Sequence, residues 1–314
     1  MAADLKTSAA APRPVLGGIM VLTAASLWGT LGLFARTLYE VGVTPLEVAS
    51  IRATIGVAGL ALWMLVRRRR TPLRCSGLLF FAAYGFFGIA LFQFAYFAAI
   101  ERTTIAVAVA LLYTAPAFVV VLSWLSGREP MDGARLLTLA LVLSGTFLVT
   151  GAVRLILTGS AAVSAAALAF GLLSGLTYGL YTLFGKRALD RYDPIETVLY
   201  GSVFGALFLA IAAPPWRPML AHPDQVPIFI LLGLLPTAAA YVLYVSGLRH
   251  LTAGTASILA SVEPVVAAVL GATLLDEAIG LDQAVGIGLI VGAGVLLTRR
   301  RNASPSSVSA TSRV

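Results

Sequence analysis

Charged residues are scarce in this sequence, since Asp, Glu, Lys and Arg together make up only 11% of its 314 residues. Hydrophobic residues make up 59%, and the mean hydropathy is +0.93. An ordinary soluble domain has about 25% charged residues, so this composition excludes that class. The sequence predicts an integral membrane protein, and apolar runs of the length of a helical span predict an all-α one.

Cysteine and histidine are also rare, with one cysteine and two histidines in the chain. A single cysteine, Cys75, cannot form an intramolecular disulfide. His222 and His250 stand apart, with no cysteine or carboxylate at the spacing of a metal site. We therefore predict neither a metal site nor a cofactor.

The net charge of +8 would suit a nucleic-acid-binding protein. In a protein with many membrane spans, however, a basic excess usually lies in the cytoplasmic loops. We predict the lipid bilayer as a partner and no nucleic acid.

Ten apolar runs are long enough to cross a bilayer. They cover about residues 15–35, 45–66, 76–99, 103–126, 133–151, 161–183, 194–213, 226–247, 253–275 and 281–298. The remaining segments are a polar leader at residues 1–14, a connection at residues 152–160 and a basic, disordered tail at residues 299–314. The sequence thus predicts five helices in residues 15–151 and five in residues 161–298.

The two sets of five repeat each other. A shift of 148 residues places Pro116 on Pro264, and the same shift places Glu129 on Glu277. Near the start of each half the match holds at a shift of 149 or 150 residues. Because five is odd, the second repeat enters the membrane from the opposite side. Inverted repeats enclose a binding site at their interface near the bilayer midplane.

Lysine and arginine predict the orientation. With the amino terminus in the cytoplasm, most of these residues lie in cytoplasmic loops, and Arg52 lies within a span. The basic residues of the opposite side are Arg36, Arg102, Arg154 and Arg217. By the positive-inside rule, the sequence predicts a multi-pass protein with both termini in the cytoplasm. Arginine outnumbers lysine 20 to 2 and alanine is abundant, a usage typical of GC-rich bacterial genomes, so we predict a bacterial inner membrane.

Arg52 and Glu263 are charged residues within predicted spans. A charge at the centre of a membrane helix costs roughly 2.5–3.5 kcal/mol on insertion scales, so each indicates a partner or a polar cavity. The two could form a buried structural pair. Alternatively, Arg52 could hold a substrate carboxylate, and Glu263 could take up and release a proton. The first repeat has Ala115 at the position of Glu263, so the predicted cavity is electrostatically asymmetric.

Other polar and aromatic side chains within spans are candidates for lining the cavity, because amphipathic rings can stack on a solute or hydrogen-bond to it. The predicted substrate-binding residues are Trp28, Gln93, Tyr113, Tyr178, Tyr244 and Glu263. The predicted charge-pair or gating residues are Arg52, Glu263, Glu129 and Glu277, and the predicted helix breaks are Pro116 and Pro264. The alternative is that the aromatic residues anchor span ends at the membrane interface and that Glu129 and Glu277 are solvated charges.

Together these motifs resemble the EamA-type members of the drug/metabolite transporter superfamily. The resemblance rests on Leu-Trp-Gly at residues 27–29, on Pro45 followed by Arg52, and on the helix of each half that contains a proline and ends in a glutamate. It covers about residues 15–300. It implies ten helices in two inverted halves, a central cavity and the export of small metabolites such as amino acids.

The main hypothesis is a secondary transporter that exports amino acids or related amphiphiles by alternating access. The nucleotide-binding pattern G-x-x-x-x-G-K-[ST] is missing, so any coupling would use a gradient, with proton coupling as one option. The alternatives are an intramembrane enzyme, for which the chain has no H-E-x-x-H motif and no nucleophile motif, and a membrane sensor or assembly subunit without transport. Glycines in the last span suit packing within the chain or in a homodimer.

Overall fold

The computed structural model describes residues 13–67, 75–161 and 163–303, and these residues contain helices and no strand. The first part of the chain forms α1 (Pro14–Gly29), α2 (Leu31–Glu40), α3 (Pro45–Val66), α4 (Cys75–Gly85), α5 (Leu91–Ile100), α6 (Ile105–Leu112), α7 (Ala115–Leu125), α8 (Gly133–Val149) and α9 (Ala152–Leu157). The second part forms α10 (Ala165–Ala188), α11 (Pro194–Ala212), α12 (Trp216–Ala221), α13 (Val226–Gly233), α14 (Ala240–Leu248), α15 (Ala253–Ala260), α16 (Glu263–Leu274) and α17 (Leu281–Ala303).

Eight helical segments of the described chain are long and apolar enough to cross a membrane. They are Pro14–Glu40, Pro45–Val66, Gly77–Ile100, Ile105–Leu125, Ala165–Ala188, Pro194–Ala212, Pro223–Leu248 and Ala253–Leu274. Two shorter apolar helices, Gly133–Val149 and Leu281–Leu297, lie where the sequence predicts the fifth and tenth spans. The prediction of an all-helical membrane protein is therefore confirmed.

Two short helices were not expected from the sequence. The connection at residues 152–160 contains α9, which follows Gly151 in the left-handed conformation at φ 72°. The second, α12, lies between α11 and α13. Both have six residues, too few to produce an apolar run of span length. Most of the predicted leader at residues 1–14, and the predicted tail beyond residue 303, lie outside the described residues.

The second span of each half begins with the same cap. The Thr44 side chain accepts a hydrogen bond from the backbone N–H of Glu47, whose carboxylate accepts one from the Thr44 backbone. Asp193 and Glu196 form the equivalent box at the start of α11. A proline follows each capping residue, where its fixed φ and missing N–H suit the first helical turn.

The same irregularities interrupt both halves. A π-helical turn, Phe86–Ala90, joins α4 to α5, and a second one, Leu234–Ala239, joins α13 to α14. Their first residues are 148 positions apart, as are the first residues of α7 and α16. Both halves therefore break their membrane helices in the same register.

Contacts between helices are reciprocal. Helix α1 packs against α14 while α10 packs against α5, and α1 contacts α16 while α10 contacts α7. Likewise α3 contacts α13, and α11 contacts α4. In each of these three cases, a helix of one half contacts a helix of the other half, and the two equivalent helices make the same contact with the halves exchanged. This is the pattern of a self-complementary interface.

The start of α1 is joined to the end of α14. The backbone N–H of Arg13 donates a hydrogen bond to Nδ1 of His250 at 3.3 Å. Burial lowers the pKa of His250, and the cationic Arg249, Arg13 and Lys186 lower it further. The ring is therefore neutral near pH 7 and can accept this bond.

Helices α8 and α17 approach each other at two glycines. A Cβ added to Gly286 would lie 2.6 Å from both the Gly145 carbonyl oxygen and the Val149 backbone nitrogen. Gly288, one half-turn further along α17, has no atom within 4 Å of an added Cβ. Small residues permit this close backbone contact in a membrane protein.

Gly286→Ala should therefore destabilise the protein by about 1–3 kcal/mol, because the new methyl group meets backbone atoms that cannot rotate away. Gly288→Ala is the matched control and should change stability by less than about 0.5 kcal/mol. Unfolding in sodium dodecyl sulfate, followed by circular dichroism, measures both. Equal effects would contradict the packing described.

Candidate functional site

Trp28 lies at the centre of an aromatic cluster between the halves. Its ring centroid is 5.2 Å from that of Tyr244, 5.6 Å from Tyr241 and 6.3 Å from Tyr178. The side chain is 3% exposed, and its Nε1–H has no hydrogen-bond partner among the described residues. An unsatisfied buried donor costs about 1–3 kcal/mol, so a bound solute could gain by accepting from this group.

The cluster is held on α10 and α14. The Tyr244 hydroxyl and Thr182 Oγ1 are hydrogen-bonded at 2.7 Å, and the Tyr181 ring lies 5.2 Å from that of Tyr241. Tyr244 is thus buried with a hydrogen-bonded hydroxyl, whereas Tyr178 and Tyr241 are partly exposed.

Glu263 is the first residue of α16, immediately after the break that separates α15 from α16. Free backbone N–H groups and the positive end of the helix dipole stabilise a carboxylate there. The side chain of Tyr113, which follows the last residue of α6, lies near this carboxylate. Glu263 is partly buried.

Arg52 of α3 is 8% exposed, and its Nη1 has no hydrogen-bond partner among the described residues. Its charge acts on Glu263, Tyr39 and Tyr96. The described structure contains no ion pair between Arg52 and Glu263. A buried guanidinium with a free N–H can bind an incoming anion.

Two small spaces flank the aromatic cluster. The polar residues of the first, which lies between α3, α5, α11 and the second π turn, are Arg52, Gln93, Ser202, Thr237 and Tyr241. The polar residues of the second, which lies between the two helix breaks, are Tyr113, Tyr178, Thr182, Tyr244, Ser257 and Ser261. Each has room for about one water molecule, so a solute requires the helices to move apart.

The predicted helix breaks and gating residues lie around and beyond this centre. Pro116 and Pro264 are the second residues of α7 and α16, directly after each break. Glu129 and Glu277 lie at opposite ends of the molecule rather than in the central site. Glu129 is buried and pairs with Arg135, whereas Glu277 is exposed.

A family model described as the EamA-like transporter family matches residues 15–151 and 165–299. The chain belongs to this family. The resemblance to EamA-type members of the drug/metabolite transporter superfamily is thereby confirmed, and the protein is a transporter by family. Since this is a family of transporters, the intramembrane-enzyme alternative has no support from it.

Three relatives match this EamA-like transporter over most of their length. An uncharacterized transporter of Archaeoglobus fulgidus is 32% identical over 265 residues, covering 84% of this chain and 90% of that protein. The threonine/homoserine exporter RhtA of Escherichia coli (strain K12) is 30% identical over 271 residues, covering 83% of each. The uncharacterized inner membrane transporter YicL of Salmonella typhimurium (strain LT2) is 27% identical over 275 residues, covering 82% and 87%.

A solved crystal structure also resembles the EamA-like transporter. It aligns with a TM-score of 0.73 and 20% sequence identity, covering 90% of this chain and 98% of the other. This likeness shows that the two chains share a fold.

Sequence reasoning missed several residues that line the two spaces. Ser202, Thr237, Ser257 and Ser261 were not predicted. Two signals could have found some of them. Pro236 interrupts an apolar run directly before Thr237, and the two serines are four residues apart on the helix that leads to Glu263.

The burial of Trp28 in this EamA-like transporter predicts a fluorescence signal. The other tryptophans, Trp63, Trp124 and Trp216, are between 38% and 57% exposed. With these three changed to phenylalanine, the remaining emission should lie at short wavelength and resist quenching by acrylamide. A solute that enters the site should change that emission saturably.

The control for this measurement is the variant that keeps only Trp216, whose emission should be quenched readily and should not respond to the solute. If acrylamide quenched Trp28 as strongly as Trp216, the enclosed position of Trp28 would be wrong.

Proposed function

We propose that this protein is a secondary transporter that exports small metabolites, amino acids or related amphiphiles, across a bacterial inner membrane by alternating access. One observation carries this proposal. Arg52 Nη1 and Trp28 Nε1 are buried donors without partners in the described structure. The charge of Arg52 acts on the partly accessible Glu263, and Gly29, next to Trp28, packs against the Glu263 backbone. A cationic group, a neutral donor and an anionic group suit a solute that carries both charges.

The architecture behind the proposal is ten membrane helices in two inverted repeats of five. The eight long spans and two shorter apolar helices support this arrangement. The paired capping boxes, π turns and helix breaks support the repeat, as do the reciprocal contacts and the two successive family matches. Inverted repeats allow each half to take the conformation of the other, which opens the site to alternate sides.

In this proposal the solute carboxylate binds Arg52, which offers a free N–H in a site with little water. The solute ammonium group binds the carboxylate of Glu263, beside the hydroxyl of Tyr113. The apolar part of the solute lies against Trp28 and Tyr178, whose rings attract cations and apolar groups. The relative RhtA is a threonine/homoserine exporter, and threonine and homoserine are solutes of this kind.

Glu263 also offers a means of coupling. A proton and the ammonium group of the solute compete for the Glu263 carboxylate. If the protein releases the solute on one side and returns with a proton bound to Glu263, each cycle exchanges a proton for a solute molecule. No nucleotide-binding loop is present in the sequence, which leaves an ion gradient as the source of energy.

Transport in proteoliposomes tests the assignment. We expect Arg52→Gln and Glu263→Gln each to reduce the flux of labelled threonine or homoserine at least tenfold, because one charge–charge contact of about 1.5–3 kcal/mol is lost. Arg187→Gln and Asp190→Asn, which remove an exposed surface pair, are matched controls and should transport normally.

Substrate analogues separate the two roles. Wild-type protein should transport an amino acid better than the amine that lacks its carboxylate, and Arg52→Gln should lose this preference. Wild-type protein should also transport the amino acid better than the acid that lacks its amino group, and Glu263→Gln should lose that preference. Glu263→Gln should also abolish the pH dependence of flux, and an unchanged pH dependence would refute proton coupling through this residue. Binding without movement of any solute would instead favour a sensor or assembly subunit.

The topology makes a second prediction. Green fluorescent protein, which matures in the cytoplasm but not after Sec-dependent export, should fluoresce when fused to either terminus. Alkaline phosphatase, which is active only outside the cytoplasm, should be active when inserted after Gly159, an exposed residue between α9 and α10. Termini in different compartments would contradict the ten-helix arrangement.

A further inference from the structure

Two contacts close one end of the molecule, and their counterparts at the other end are open. We call the end that contains Glu129 and the start of α15 the Glu129 face, and the end that contains Glu277 and the start of α6 the Glu277 face. Counterpart residues of the two faces are 148 positions apart in the sequence, or 150 for α1, α2 and α10, where the sequence match has that shift.

The first contact joins the two halves at the Glu129 face. Glu129 Oε1 accepts a hydrogen bond from the backbone N–H of Gly254 at 3.1 Å. Gly254 is the second residue of α15, so its N–H has no partner within the helix. Arg135 Nη2 lies 2.9 Å from Glu129 Oε2 and orients the carboxylate.

The counterpart of this contact would join Glu277 to the backbone N–H of Ala106. Ala106 is likewise the second residue of its helix, α6. The Thr104 side chain accepts a hydrogen bond from the backbone N–H of Val107 and not from that of Ala106. Glu277 does not reach it. Its side chain is exposed, and its Oε2 lies beside Gly271 of α16, the helix that precedes it.

The two loops share one backbone hydrogen bond, but their left-handed residues are not equivalent: Gly127 has φ 67° in one loop, and Asp276, the counterpart of Arg128, has φ 54° in the other. The N–H of Glu129 donates to the Ser123 carbonyl at 3.3 Å, and the N–H of Glu277 donates to the Gly271 carbonyl at 3.2 Å. The two faces therefore differ in the loop backbone as well as in the position of the glutamate side chain.

The second contact at the Glu129 face involves Lys186, at the end of α10. Its Nζ donates to the carbonyl oxygens of Leu248 and Leu251, both at 2.6 Å. A cation is favourable at the end of α14 because the last carbonyl groups of a helix lack hydrogen-bond partners within it.

Arg36 is the counterpart of Lys186, and the counterpart carbonyls belong to Ile100 and Thr103. Arg36 does not contact them in this structure. Its side chain is 59% exposed and pairs with Glu40, with Nε 3.6 Å from Oε1. Both contacts that close the Glu129 face are thus unformed at the Glu277 face.

The helices at the Glu277 face also bury fewer residues than those at the Glu129 face. Helix α7, which leads to the Glu129 face, buries five residues, whereas its counterpart α16 buries three. Helix α2, at the Glu277 face, buries only Leu38. The helices at the Glu277 face are therefore less tightly covered by the rest of the protein.

We infer that Glu277 and Arg36 are the gating residues of the Glu277 face. In the alternate state the Glu277 carboxylate accepts a hydrogen bond from the Ala106 N–H, and Arg36 leaves Glu40 and donates to the carbonyl oxygens of Ile100 and Thr103. Glu129 at the same time releases Gly254. The inference rests on the proposed inverted repeat and alternating access.

The two gates are unequal in strength. Gln283 stands where the other half has Arg135, and Ala106 stands where the other half has Gly254. The gate at the Glu277 face therefore lacks the ion pair, and the Ala106 methyl group limits the approach of the carboxylate. An added Cβ on Gly254 would lie 2.9 Å from Glu129 Oε2. This difference favours the state in which the Glu129 face is closed.

Distances between spin labels test the inference. One pair, at Leu125 and Arg249, spans the Glu129 face, and the counterpart pair, at Thr273 and Glu101, spans the Glu277 face. All four residues are exposed. With Cys75 changed to alanine, each pair is labelled through introduced cysteines in the full chain in lipid nanodiscs.

Glu129→Ala should raise the population with a long Leu125–Arg249 distance and a short Thr273–Glu101 distance about tenfold, since it removes one charge-assisted hydrogen bond. In that background, Glu277→Ala or Arg36→Gln should reverse the change by a similar factor. Glu277→Gln, which keeps an acceptor oxygen, should reverse it less. Asp190→Asn, which removes an exposed carboxylate at the Glu129 face, should leave it unaltered.

A purely structural role for Glu277 would not produce opposite shifts of the two distances, so this pattern identifies a gate. If the Glu129→Ala distances were unaffected by Glu277→Ala and Arg36→Gln, the gating inference would be wrong even with transport intact. If the distances shifted as described but no solute moved in the wild-type protein, the proposed function would fail and the gate would stand.

Discussion

Within a bilayer, every backbone N–H and C=O group must find its partner inside the protein, and the centre of this molecule is built around two places where the helix does not supply one. The fourth apolar segment breaks between α6 and α7, and its counterpart breaks between α15 and α16. Thr114 Oγ1 donates to the Leu111 carbonyl at 2.6 Å and so satisfies part of the first break. Non-helical backbone at this depth is stable only where it faces protein or a polar cavity, and these breaks meet beside Tyr113 and Glu263.

The two breaks are equivalent in backbone but different in charge. Ala115 begins α7 and is buried, whereas Glu263 begins α16 and remains partly accessible. One carboxylate therefore lies at the interface of two halves whose backbones correspond. Arg52 provides the opposite charge without pairing with it directly in the described structure. This separation leaves both charges available to a third group, which a structural ion pair would not do.

The sequence predicted the helices well because its strongest signal, apolar runs of span length, comes from the membrane itself. Pro45 and Pro194 marked the starts of α3 and α11, and Pro116 and Pro264 marked the breaks to within two residues. The π turns left no such mark in the first half, since Phe86–Ala90 contains neither proline nor a polar residue. For the site, the charges and Trp28 could be chosen because they are costly or rare within spans. Ser202, Thr237 and Ser257 could not, because small hydroxyl residues satisfy themselves on the preceding helical turn and occur on any face.

The π turns have a consequence for the history of the chain. Each π turn contains one more residue than an α turn would need, and it rotates everything that follows, including Gln93 in one half and Tyr241 in the other, relative to the preceding helix. Under the proposed duplication, an extra residue found at the same register in both halves is inherited most simply from a single ancestral half. The insertion would then be older than the gene fusion, and the ancestor would have been a five-helix chain that paired with a second copy of itself in the opposite orientation.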